Sequence, residues 1–144
     1  MNETPWLDWM RSHIGESFAT GQTPTDFNRM VFSHTDCPLG DQMLAGCAAT
    51  VCAALELTGF KSTHRADAIS YADYGDPCEL KYGCIVVIVH QTGNHHVTFC
   101  DQQGEIDPSQ FQCLGGNQSH SLKDSVYQFG PGGDKVIATR WPVT

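Results

Sequence analysis

The residues best suited to chemistry in this chain are a cysteine and a histidine. Cys47 lies in Gly46-Cys47-Ala48-Ala49, where an apolar helical pattern begins after a breaker-rich loop. Free N–H groups and the helix dipole at such a start favour a thiolate. A thiolate is a nucleophile for an amide carbonyl. The small neighbours let a substrate approach the sulfur. The competing account is a buried structural cysteine, the commoner fate of a free thiol. Cys52, five residues on, fits that account better.

A base follows in the sequence. His95-His96-Val97-Thr98-Phe99 opens a strand directly after a turn. Histidine is the usual general base because it titrates near neutrality. A histidine at a strand start can face a helix packed on the sheet and take the thiol proton. Alternation groups His96 with Thr98 and Cys100, and His95 with Val97 and Phe99. His96 is the candidate base and His95 the solvated neighbour. In Leu114-Gly115-Gly116-Asn117-Gln118-Ser119, Asn117 can hold the second ring nitrogen, as in Cys-His-Asn arrangements. The alternative is an ordinary Gly-Gly-Asn turn. Gln42, upstream of the nucleophile, is a candidate oxyanion donor beside the Cys47 N–H. Gln118 is a further candidate for oxyanion or substrate contact. Tyr71 and Tyr74 are candidates for a substrate groove or for the core.

The elements that must position these groups follow from periodicity. Trp6, Trp9, Met10 and Ile14 recur at helical spacing, which predicts a helix from Pro5 to Phe18. Thr25 can cap a short helix through Met30. Leu44, Cys47, Ala48, Val51 and Leu55 form one apolar helical face, stopped by Gly59. A short helix is expected over Arg65 to Tyr74. Cys84 to His90 reads as a buried strand and His95 to Asp101 as its partner. Further strands are expected at Glu105-Ile106, Phe111 to Leu114, Ser125 to Phe129 and Val136 to Trp141. Helices first, then an antiparallel meander of about five to six strands, is an α+β pattern in one domain spanning 1–144.

The ordered motifs resemble the NlpC-like and CHAP branches of the papain-like cysteine peptidases. The likeness is to their small bacterial and phage cell-wall hydrolases. It rests on Pro5-Trp6, Gly46-Cys47-Ala48-Ala49-Thr50-Val51, Ala68-Ile69-Ser70-Tyr71, Gly83-Cys84-Ile85-Val86-Val87-Ile88, His95 to Phe99, Leu114 to Ser119 and Arg140-Trp141-Pro142. The resemblance implies a papain-like fold, with N-terminal helices packed on the sheet. It implies Cys47 as nucleophile, His96 as base and Asn117 as the orienting residue. It also implies cleavage of peptide bonds in peptidoglycan without a cofactor. Gly46, Cys84 and His95 depart from the usual Trp, Asp and Gly of those motifs, which bears on pocket shape and substrate.

Composition narrows the classes. The formal charge is −8 with eight Lys and Arg, so no basic face for nucleic acid is expected. The apolar run Ile85 to Val89 is far too short for a membrane span. The first residues lack a basic region followed by an apolar stretch, so no secretory signal is read there. A cell-wall hydrolase made in the cytoplasm would then reach its target by lysis, a phage apparatus or a secretion machine. An injected effector would be accompanied by a cognate inhibitor protein. Seven cysteines leave at least one outside any intramolecular pair, and the sequence does not choose a connectivity. Three rival readings remain. A zinc protein would start from His34 and Cys37. A Cys-His deamidase toxin would act on a protein side-chain amide. A binding module would not need Cys47 at all.

Overall fold

The computed structural model describes residues 2–18, 24–37, 46–118 and 121–144. Three α-helices come first: α1 (Pro5–Ser12), α2 (Asp26–Phe32) and α3 (Cys47–Glu56). A 3-10 helix at Ala68–Asp73 precedes the strands β1 (Asp76–Pro77), β2 (Ile85–Val89), β3 (His95–Cys100), β4 (Gln110–Gln118), β5 (Ser121–Gln128) and β6 (Lys135–Trp141). The strands form a six-stranded sheet in the order β1-β6-β2-β3-β4-β5. Every pairing is antiparallel. The chain is therefore α+β, with β2 to β5 as a meander and β6 returning beside β2. Among the described residues no helix is long and apolar enough to cross a membrane.

Helix α1 ends at Ser12, short of the expected Phe18. Tertiary pairing claims the backbone beyond it. The Gly15 N–H donates to Leu122 O, the Leu122 N–H donates to Glu16 O, and Ser17 bridges Ser121. Gly15 takes a φ of +99°, which ends the helix at little steric cost. The buried Trp6 anchors α1: its indole N–H donates to Gly83 O at 2.8 Å. Its ring meets Trp141 edge-on at 5.4 Å, so the two ends of the chain join there. In α2, Thr25 accepts from the Asn28 N–H, the expected cap.

Helix α3 is more deeply placed than a one-sided amphipathic pattern implies. Every residue from Cys47 to Leu55 is buried. Four alanines let it lie close to the sheet on one side and to α1 and α2 on the other. Two glycines permit the approach. A Cβ on Gly46 would sit 2.2 Å from the Phe18 ring, and one on Gly116 would sit 2.2 Å from Thr50 Oγ1. The segment expected as a helix over 65–74 is a 3-10 helix instead, with Gly75 at φ +60° closing it.

Strand β2 is buried on both faces, as its unbroken β-branched run requires. One face carries Ile85, Val87, Val97, Phe99 and Leu114 against the helices. The other carries Cys84, Val86, Ile88, Cys100, Phe111 and Cys113. Tyr127 and Phe129 cover this second face, so the β4–β5 hairpin coils over the sheet. The expected strand at Glu105-Ile106 is absent; only a bridge from Asp107 to Gln110 forms nearby. Strand β4 runs on through Gln118, so Gly115 and Gly116 lie in a strand rather than in a turn. Pairing with β5 runs through Gly115↔Lys123 and resumes at Gln118↔Ser121, with Gly116 in the bulge between them.

Candidate active site

Cys47 is the first residue of α3, with Gly46 as the N-cap. Its side chain is buried. The backbone N–H groups of Val97, Ala48 and Cys47 itself lie near the sulfur. Each favours the thiolate, but burial opposes them and wins, so the thiol is held above its ordinary value. At neutral pH the resting group is a thiol.

The availability of the Val97 N–H follows from how β3 and β4 part. They pair at Phe99↔Leu114 and Cys100↔Cys113. The Cys100 N–H bonds Cys84 O in the β2 direction. Alternate residues of a strand address alternate neighbours. The Val97 N–H therefore points to the β4 side, where the ladder has stopped. The Cys47 thiol occupies that place. Its helix start is wedged where the two strands separate.

His96 is buried on β3, one residue from the amide that holds the thiol. Val97 and Phe99 pack with Cys47 on the helix side, whereas Cys100 belongs to the second cluster. Alternation then turns His96 toward the second face, not toward the helix. There the Tyr127 hydroxyl stands 3.3 Å from Nε2, with the rings 5.8 Å apart. The His90 ring lies 6.0 Å away. His90 Nδ1 is 2.9 Å from Asp134 Oδ2, and the Gln91 N–H donates to the other oxygen of that carboxylate. Burial raises the Tyr127 hydroxyl, and negative charge arising on Cys113, Cys47 or Asp134 raises it further. Tyr127 is therefore a neutral phenol, close enough to Cys47 for a charge there to act on it. Cys47 and His96 flank Val97 at the break between β3 and β4 from opposite faces of β3, so the base does not face the helix as the sequence reading expected. Val97 and Tyr127 are the residues they share.

An open depression of about 460 Å³ adjoins this group, lined by Val89, His90, Gln91, Gly132, Gly133 and Lys135. Sequence reading did not single out His90, Tyr127 or Asp134. Tyr127 is one aromatic in a strand, and Asp134 closes a Gly-rich turn. His90, ending the β2 run, carries the one usable signal: a polar residue where a two-sided buried strand stops.

The other candidates fall in several places. Tyr71 is fully buried, its hydroxyl 3.0 Å from Cys52 Sγ, so it packs in the core and lines no groove. Tyr74 is also buried and donates to Lys61 O. Gln42 lies outside the described residues. Asn117 and Gln118 belong to the backbone of β4, with their side chains outside what is described. His34 does not join Cys37: its Nδ1 is 2.8 Å from Glu56 Oε1. Among the described residues no group of three or more His, Cys, Asp or Glu is arranged to hold a metal ion. All seven cysteines are free thiols.

Compared with protein-family models, with curated proteins and with solved structures, the chain matches none.

Proposed function

We propose that this chain is a cysteine-dependent amide hydrolase, with Cys47 as nucleophile and His96 as base. One observation carries the reading. Cys47 heads helix α3, and the backbone amide of the residue after His96 lies near its sulfur. A nucleophile needs a base within reach and donors for the oxyanion that follows.

The mechanism follows from the protonation states. A thiol kept neutral by burial attacks a carbonyl only as its proton leaves. Where the Nε2–H of His96 is donated to the Tyr127 oxygen, the lone pair of Nδ1 is left to take that proton. The sulfur forms the tetrahedral adduct, and the N–H groups at the start of α3 stabilise its oxygen. His96 returns the proton to the leaving amine. Water then cleaves the thioester, with His96 again as base. Tyr127 is a positioning residue in this scheme, a role the sequence had assigned to Asn117.

The substrate class rests on the motif order alone. Its likeness to NlpC-like and CHAP cell-wall hydrolases favours peptide bonds of peptidoglycan, cleaved on a papain-like variant of the α+β fold. The test is digestion of purified peptidoglycan by the wild type and by Cys47→Ala, with the released muropeptides separated and sequenced by mass. New amine termini that vanish with Cys47→Ala are expected. No new fragments with the wild type would overturn the substrate assignment.

A further inference from the structure

Four of the seven cysteines lie together on the face away from the helices, apart from Cys47. Cys84, Cys100 and Cys113 belong to the second cluster, and Cys78 packs against it. Cys84 stands just before β2 at a bulge, where the Gly83 N–H, not that of Cys84, donates to Cys100 O. Ile85↔Phe99 sets Cys84 opposite Cys100, and the Cys100 N–H donates to Cys84 O at 2.8 Å. Cys100 also pairs with Cys113 across β3 and β4. Directly opposed antiparallel residues stand about 4.5 to 5.5 Å apart at Cα, within the range a disulfide spans. The Cys84 thiol lies close enough to interact with both Cys78 and Cys100. Access is graded along the row. Cys78 is partly exposed, whereas Cys84 and Cys100 are fully buried.

We propose that Cys78, Cys84 and Cys100 form an oxidisable thiol relay, which exchanges with a small-molecule disulfide at Cys78 and stores the new bond inside as Cys84–Cys100. With glutathione disulfide as oxidant, the Cys78 thiolate attacks one of its sulfurs. A mixed disulfide forms and one glutathione thiolate leaves with the Cys78 proton. The Cys84 sulfur attacks Cys78 and expels the second glutathione, which takes the Cys84 proton. The Cys100 sulfur then attacks Cys84, and Cys78 regains a thiol with the proton Cys100 gives up. In sum, two protein thiols and one external disulfide become one protein disulfide and two glutathiones. The hydrogen bond from Cys84 holds Cys100 below its ordinary value, which suits it to the last attack, whereas burial raises Cys78 and the bond to Cys100, then burial, raises Cys84, so the first two attacks are the slow ones. The relay does not depend on the proposed hydrolase.

The test uses the folded chain in a Cys47→Ala background, so that the proposed nucleophile takes no part. Glutathione disulfide is added, the reaction is quenched by alkylation at intervals, and unreduced peptides are mapped by mass. Early glutathione on Cys78 is expected, then loss of two hydrogens with Cys84 joined to Cys100. Cys78→Ser should slow that step by roughly tenfold or more. Equal rates with Cys78→Ser, or a different pair joined, overturn the relay. If Cys78→Ser does not fold, the first adduct decides: glutathione arriving elsewhere than Cys78 overturns it equally.

Discussion

The Tyr127 hydroxyl lies 3.3 Å from His96 Nε2, although β4 separates their strands in the sheet. The coil of the β4–β5 hairpin brings them together. Tyr127 and Phe129 lie over the second face, and beyond them Asp134 reaches His90. A side chain two strands away thus becomes the partner of the candidate base.

Tyr127→Phe isolates that contact. The ring and its packing stay and only the hydroxyl goes. A neutral hydrogen bond is worth about 1 kcal/mol, which is about fivefold in rate. We expect kcat to fall by about five- to tenfold with KM little changed. A merely structural tyrosine would shift the melting temperature instead and leave kcat alone.

The raised thiol of Cys47 sets the pH dependence of its chemistry. With burial dominant, the thiolate fraction is small at neutral pH and grows only in the alkaline range. Labelling of Cys47 by iodoacetamide is therefore expected to climb steadily above about pH 8.5, the ordinary thiol range. A plateau already reached below pH 7 would mean a preformed thiolate–imidazolium pair. Mass spectrometry of the Cys47 peptide reads this directly.

Asp101 supplies a test of the fold away from the site. Burial and then the hydrogen bond and charge of Asp124 raise its carboxyl to about 7, with Arg11 opposing. Unfolded, the group titrates near ~3.9. Between these values the folded chain holds a proton that the unfolded chain releases. Stability from this group is complete at low pH and declines as pH rises from about 4 to about 7. Asp101→Asn should remove that slope, visible in urea midpoints measured across the same range.

Glycine at 116 is required by the packing of α3. A Cβ there would lie 2.2 Å from Thr50 Oγ1 and 2.9 Å from the Phe18 ring. Overpacking of this kind costs about 1–3 kcal/mol. Gly116→Ala should lower the unfolding midpoint accordingly. Adding Thr50→Ala should restore part of the loss, since the two positions share one contact. Full additivity would show that the positions do not meet.

Much of the frame was legible from local pattern. The β-branched run of β2 needs two covered faces, and it has them. Thr25 and Gly59 mark helix ends through backbone chemistry that is local: a hydroxyl accepting the Asn28 N–H, and a φ of +95° just past α3. The boundaries that moved were those under tertiary control. Gly15 to Ser17 left the predicted helix because Leu122 and Ser121 claimed its backbone. Gly115 and Gly116 joined β4 because β5 extends its ladder past them.

The candidate site divides in the same way. By itself, the sequence determined that Cys47 would begin a helix and His96 a strand, because periodicity and breakers are written locally. It could not determine which face the imidazole takes relative to the thiol, or which group holds its second nitrogen. Those depend on where β3 and β4 part and on the coil that carries Tyr127 over the sheet. Both depend on contacts between separate elements, such as that of His96 with Tyr127, which no local pattern encodes.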